Sequence, residues 1–215
     1  IAERLSPLRF SPDHPLTPVP MRRWCRPLVW LSVCAPLVAC DPEPSDPTVR
    51  ITGDTMGARY ELKLVPAPEQ TLPADLRQRA ETLLAQINRQ MSTYDPDSEL
   101  SRFNRNPSTD WIAVSPELYH VVAEGLRMSA LTDGAFDITV GPLVNLWGFG
   151  PEPRQDRAPS EEAIRQARER VGFRGLRARA EPPALKKDRA DLYVDLSALA
   201  KGYGVDRLAE LADAA

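Results

Sequence analysis

Residues Val49–Val65 read VRITGDTMGARYELKLV, and the fold class turns on them. Tyr60, Leu62 and Leu64 alternate with Glu61 and Lys63, the two-residue period of a half-buried strand. Gly53 and Gly57 bracket a turn, so the stretch predicts a β-hairpin. A little further on the period changes. From Asp75 to Met91, apolar residues fall at Leu76, Ala80, Leu83, Leu84, Ile87 and Met91, which is the stripe of an amphipathic helix.

The same mixture continues along the chain. Ser115-Pro116-Glu117 supplies a cap, a first-turn proline and an acid at the positive helix end. Leu118, Val121, Val122 and Leu126 form the apolar face of that helix, and Gly134 can terminate it. Ser160-Glu161-Glu162 opens a third helix with Ala163, Ile164, Ala167 and Val171 inward. Arg174–Arg189, with Pro182-Pro183 at its centre, predicts a hairpin or an exposed excursion. DLYVDL (Asp191–Leu196) predicts a strand with Leu192, Val194 and Leu196 on one face, followed by a helix over 198–212 capped by Ser197. Strands and helices alternate without a strict βαβ rhythm, so the expected class is α+β, a two-layer α/β sandwich.

The region before Val49 is of another kind. MRRWCRPLVWLSVCAPLVAC (Met21–Cys40) has a charged start, a short apolar run and small residues before a cysteine, the pattern of a secretory signal. The run is short for a membrane span. Leu-Val-Ala-Cys resembles the lipobox of bacterial lipoproteins, in which the signal is cut before the cysteine and Cys40 carries the lipid. DPEPSDPT after it reads as an extended polar tether. Asp41 resembles an inner-membrane retention signal. The expected organisation is an upstream extension over 1–20, a signal peptide over 21–39, a lipidated cysteine and tether over 40–48, and a folded domain from 49 to 215. All three cysteines lie between Cys25 and Cys40, so the domain has no internal disulfide.

Composition excludes several functions. A net charge of -3, with basic residues scattered, gives no reason to expect nucleic-acid binding. No G-x-x-x-x-G-K-[ST] loop occurs, and Gly202-Tyr203-Gly204-Val205-Asp206-Arg207 lacks the third glycine of a dinucleotide fingerprint. His120 sits among valines on a helix, and no zinc-type cluster can be assembled. What remains is carboxylates beside glycine-rich turns. TDGAFDITVGPLVNLWGFG (Thr132–Gly150) has two Asp, four Gly, two Phe and a Trp without Lys, Arg or Glu. As a strand it would turn Phe136, Ile138 and Val140 one way and Asp137 and Thr139 the other. Asp137 and Asp195 suit a hard cation, a hydroxyl, a ribose or a ring N–H, and they equally suit turn and helix capping. On the residues alone, these readings stay open.

Three blocks decide between them. MSTYDPDSELSRFN (Met91–Asn104), TDGAFDITVGPLVNLWGFG and DLYVDLSALAKGYGVDRLAELA (Asp191–Ala212) resemble the signature segments of the ApbE family, the FAD:protein FMN transferases. Met56-Gly57 matches an early Met-Gly-Thr motif, with Ala58 in place of Thr. The resemblance covers about 52–215. It implies Mg²⁺-dependent transfer of FMN from FAD to a threonine hydroxyl of an acceptor protein, with AMP released. It also implies a lipid-anchored enzyme on the periplasmic face of the bacterial inner membrane, with subunits of RNF- and NQR-type redox complexes as acceptors.

Residue by residue, the resemblance places Met56, Tyr94 and Phe136 against the flavin and Ala135 at a close approach to the dinucleotide. Asp137, Asp195 and Lys201 match further FAD-binding positions, and Ala198 matches a backbone-carbonyl ligand of Mg²⁺. Trp147 and Phe149 read as pocket wall or core rather than as stacking partners. The family continues into a segment resembling Ala-Asp-Ala-x-x-Thr, which supplies further Mg²⁺ ligands and which these residues do not contain. The chain is thus expected to hold the N-terminal portion of the domain, with full activity in the parent protein. Two other readings use the same residues: a periplasmic lipoprotein that binds or hydrolyses FAD without acceptor transfer, and a tethered scaffold.

Overall fold

The computed structural model describes residues 47–152 and 157–215, so Cys40 and its neighbours in the expected leader and tether lie outside the described residues. The architecture is α+β, as expected. Strands β1 (Val49–Thr55) and β2 (Ala58–Leu64) form an antiparallel hairpin. Helices α1 (Leu76–Met91) and α2 (Glu99–Arg105) follow, then the short strand β3 (Ile112–Ala113) and helix α3 (Pro116–Leu131). Helices α4 (Gly141–Leu146) and α5 (Glu161–Arg168) precede strands β4 (Leu176–Arg179) and β5 (Ala184–Lys187), and helix α6 (Ala200–Asp213) comes last. A second antiparallel sheet has the order β3-β5-β4. Among the described residues no helix is long and apolar enough to cross a membrane.

The turn of the first hairpin sits at Met56-Gly57, and both residues have positive φ, 50° and 69°. That is the twist-matched two-residue hairpin geometry. Gly53 is not a turn residue, contrary to expectation. It lies within β1 opposite Tyr60, and a Cβ there would stand 2.7 Å from Tyr60 Cε1. The glycine makes room for an aromatic ring, not for a bend.

Helix caps match the sequence closely. Ser98, Ser115 and Ser160 accept hydrogen bonds from the backbone N–H groups of Ser101, Leu118 and Ala163. At the end of α3, Asp133 takes the left-handed position (φ 48°) and Gly134 follows it (φ 83°). Their N–H groups donate to Ala130 and Ser129 carbonyls, which satisfies two of the helix's orphan acceptors. The Arg174–Arg189 segment is the β4–β5 hairpin, its connection containing a cis Glu181-Pro182 bond.

Two expected strands and one expected cap are absent. Thr132–Val140 is a run of turns leading into α4, because Asp137 Oδ1 accepts from both the N–H and the hydroxyl of Thr139 and bends the chain. Asp191–Leu196 shows the expected alternation, with Leu192, Val194 and Leu196 buried, yet joins no sheet among the described residues. Ser197 does not cap α6, whose N-cap is Leu199. Instead the Ser197 N–H donates to Asp195 Oδ1 at 2.8 Å.

The core gathers Ile87 and Met91 of α1, Leu100 and Phe103 of α2, and Leu118 and Val122 of α3 around Leu185 of β5 and the 192–196 segment. A smaller cluster of Ala80, Leu84 and Leu208 joins α1 to α6. Packing on two sides fixes α1 as one wall of the site.

Candidate active site

A cleft of about 1050 Å³ opens between the β1–β2 turn, one edge of α1, the 92–95 loop and the start of α6. Glu81, Leu84, Ala85 and Asn88 line it from α1, at the i, i+3, i+4, i+7 spacing of one helix face. Met56 enters from the hairpin turn, where its positive φ is costly for a residue with a Cβ. Ser197, Ala200 and Lys201 close the α6 side.

The 92–95 loop is rigidly built. Ser92 Oγ accepts from the N–H groups of Tyr94 and Asp95, while the Ser92 carbonyl accepts from the hydroxyls of Ser98 and Ser101. Tyr94 thereby projects at the cleft mouth, 62% exposed, and its hydroxyl donates to the Phe149 carbonyl at 2.8 Å. Phe149 also lines the cleft and is 70% exposed, and Trp147 is exposed as well. Phe149 is pocket wall, as expected, and neither ring is core.

Of the residues singled out from the sequence, Met56, Tyr94 and Lys201 meet in this cleft. Ala135, Phe136, Asp137, Asp195 and Ala198 are not on its walls. Ala135 and Ala198 are exposed, Phe136 and Asp137 half-buried, and Asp195 buried. Asp137 Oδ2 accepts from the Phe173 N–H, so both its oxygens are engaged by backbone or hydroxyl donors. The Asp195 N–H donates to the Ile138 carbonyl at 2.8 Å, which brings the two aspartate segments side by side. Both carboxylates therefore brace turns in this structure, one of the readings the residues left open. Asp195 stands two residues from Ser197 in the cleft wall, so its brace positions that wall.

Asp54, Tyr60, Glu81, Asn88 and Asp95 line the cleft and were not singled out from the sequence. The helical spacing of Glu81, Ala85 and Asn88 was the available signal for two of them. Tyr60 was legible only as a strand residue. Its hydroxyl is buried without a hydrogen-bond partner among the described residues. Burial pushes the phenol above its ordinary value, and the carboxylates of Glu81 and Asp54 add to the effect. The lining carries three acids, Asp54, Glu81 and Asp95, and the lysine Lys201. Among the described residues, no three His, Cys, Asp or Glu side chains come together as a metal site.

Behind the cleft lies a buried polar clamp. Asn104 Nδ2 donates to the Val194 carbonyl and Asn104 Oδ1 accepts from the Val194 N–H, both at 2.9 Å. The fully buried Lys187 ammonium donates to the carbonyls of Phe103, Asn104 and Ala190 at 3.3, 3.1 and 2.8 Å. Burial lowers its pKa, with Asp191 opposing. Together they tie the end of α2 to the chain that delivers Asp195 and Ser197.

A mixed α+β domain with a cleft that is aromatic at its mouth is suited to a small ligand with a planar ring. Comparison with known proteins agrees in kind. The model of the ApbE family matches residues 56–215, and the chain belongs to that family. It is 45% identical over 190 residues to the FAD:protein FMN transferase of Vibrio cholerae, covering 88% of this chain and 55% of that protein. The Haemophilus influenzae FAD:protein FMN transferase is 38% identical over 194 residues, covering 88% and 56%. Among solved structures, the flavin transferase ApbE from Vibrio cholerae superposes with a TM-score of 0.74 at 45% identity, over 78% of this chain and 53% of that one. Apo Pseudomonas stutzeri flavinyl transferase ApbE gives 0.71 at 37% identity, over 79% and 56%. The chain spans about half the length of the relatives it matches.

Proposed function

We propose that the full-length protein transfers FMN from FAD to a threonine hydroxyl of an acceptor protein and releases AMP. The observation that carries this reading is the 45% identity over 190 residues to a protein named FAD:protein FMN transferase, with the family model spanning residues 56–215. In the reaction the threonine oxygen bonds to the phosphorus of the FMN moiety and the phosphoanhydride bond to AMP breaks. The hydroxyl proton leaves to solvent or to the departing phosphate.

This chain's residues bind and orient. Lys201 places an ammonium at the cleft wall, where it offsets diphosphate charge. Met56 offers a polarizable thioether and Tyr94 an aromatic ring to the flavin. Asp195 fixes Ser197 through the backbone, and Asp137 fixes the neighbouring turn.

Mg²⁺, when bound, polarises the scissile phosphoryl group. By the family resemblance Ala198 would offer it a backbone carbonyl, and the described residues bring no acidic trio together. They do not complete a Mg²⁺ site, so the proposed metal dependence belongs to the full-length protein. The lipobox-like segment ending at Cys40 supports lipid anchoring at the periplasmic face of the inner membrane, where subunits of RNF- or NQR-type complexes are the proposed acceptors.

Co-expression of the full-length protein with such a subunit tests the reading by in-gel flavin fluorescence of the acceptor. A covalent fluorescent band that disappears when the acceptor threonine is replaced is expected. FAD turnover to FMN and AMP with no labelled acceptor would establish the hydrolytic alternative instead.

A further inference from the structure

We infer that Phe149 is a ligand-contacting residue, whose ring packs on a planar heteroaromatic ring of the bound dinucleotide at the cleft mouth. The inference rests on the proposed use of FAD and goes beyond the pocket-wall or core role read for Phe149 from the sequence.

The argument begins with how α4 ends. Trp147 is its C-cap, and Gly148 takes the left-handed conformation at φ 74°. The Gly148 N–H donates to the Asn145 carbonyl and the Phe149 N–H to the Val144 carbonyl, at 2.9 and 3.0 Å. That is the paired closure in which the residue after the left-handed position normally folds its apolar side chain back onto the helix. Phe149 does not bury itself in this way, since it remains 70% exposed. Its carbonyl is held by the Tyr94 hydroxyl, and its residue forms part of the cleft wall.

Two large aromatic residues, 62% and 70% exposed, are thus fixed at one mouth by a hydrogen bond between them. Among the described residues, this phenylalanine with a pinned backbone has little packing role to lose and a flat apolar face to offer. Because its backbone is already ordered, contact with a ring costs little further entropy. Isoalloxazine and adenine are both planar rings, and FAD carries both. Aromatic pairs of this kind are worth about a three- to ten-fold change in affinity.

The test is a titration of the full-length protein, wild type and Phe149 variants, with FAD, riboflavin and AMP, alongside thermal unfolding. F149A is expected to raise the Kd for FAD about three- to ten-fold and to leave Tm within about 2 °C. F149W should retain affinity and F149L fall between. Loss of riboflavin affinity identifies isoalloxazine as the partner ring, and loss of AMP affinity identifies adenine. Unchanged FAD affinity in F149A overturns the inference while leaving the flavin-transfer reading intact. So does unchanged affinity with a raised KM for the acceptor, or a Tm loss large enough to show that Phe149 is packing. A wild-type protein that binds no FAD overturns both.

Discussion

The carboxamide of Asn104 holds both backbone polar atoms of Val194, at 2.9 Å each, and so stands in for a neighbouring strand. Val194 is fully buried, so its N–H and carbonyl have no access to water in place of that partner. Asn104→Ala therefore leaves two buried groups unsatisfied and should cost about 2–4 kcal/mol, read as a lower urea midpoint at unchanged slope. Asn104→Asp keeps the acceptor but sets a carboxylate against the Val194 carbonyl, and should be at least as damaging. A midpoint unmoved by either variant would show that Val194 is held by other means.

Lys187 should give the molecule a distinctive alkaline stability profile. Burial pushes its ammonium below the ordinary lysine value of 10.5, although three carbonyls receive it. With the folded pKa below the unfolded one, the unfolded chain holds more protons in the window between them. In that window the Lys187 contribution to stability rises with pH, and below it the charged form carries its full burial cost. Urea unfolding of wild type and Lys187→Met across the alkaline range should show the difference shifting in favour of wild type as pH climbs toward 10.5. A pH-independent difference would refute this account.

The parts legible in the sequence are those whose signal is local. The α1 stripe and the serine caps of α3 and α5 were legible because periodicity and cap chemistry act within a few residues. Asp137 shows where local reading stops. Phe136, Ile138 and Val140 alternate as in a strand, but a carboxylate bonding its own chain two residues ahead bends it, and alternation does not reveal that competition. DLYVDL buries Leu192, Val194 and Leu196 as its alternation predicts, but Asp195 is buried as well, and the backbone partner of Val194 is a side chain ninety residues earlier in the chain. Likewise Gly53 reads as a turn residue until Tyr60 is known to lie across from it. In the cleft, Met56, Tyr94, Phe149 and Lys201 were within reach of pattern and resemblance. Asp54, Tyr60 and Asp95 depended on tertiary approach.

Gly53 and Tyr60 make that approach testable. A Cβ at Gly53 would meet Tyr60 Cε1 at 2.7 Å and Cζ at 2.9 Å, closer than packing tolerates. Gly53→Ala should destabilise the hairpin by about 1–3 kcal/mol, as overpacking does, and displace a cleft wall residue. Adding Tyr60→Val should recover part of the loss, because a smaller side chain removes the clash. Gly57 contrasts with it: nothing lies within 4 Å, so any cost of Gly57→Ala comes from its φ of 69° alone. No change in Tyr60 should relieve that variant. Thermal unfolding of wild type, Gly53→Ala, Gly57→Ala, Tyr60→Val and the two double variants distinguishes steric from conformational cost.

Asp195 separates bracing from chemistry. Its Oδ1 accepts from the Ser197 N–H, and its own N–H donates to the Ile138 carbonyl. Asp195→Asn preserves the backbone bond and the side-chain acceptor while removing the charge. If Asp195 serves only as a brace, the variant should keep its stability within about 0.5 kcal/mol and keep full flavin transfer in the full-length protein. The resemblance to FAD-binding positions predicts otherwise. Stability should hold, because the Ser197 bond survives, while kcat/KM for flavin transfer falls by about ten-fold or more, the scale of one lost charge-assisted contact. Asp195→Ala should lose both, since the Ser197 N–H then has no acceptor. A stable Asp195→Asn protein with undiminished transfer would assign the carboxylate wholly to the fold and move the search for the acidic FAD contact elsewhere in the protein.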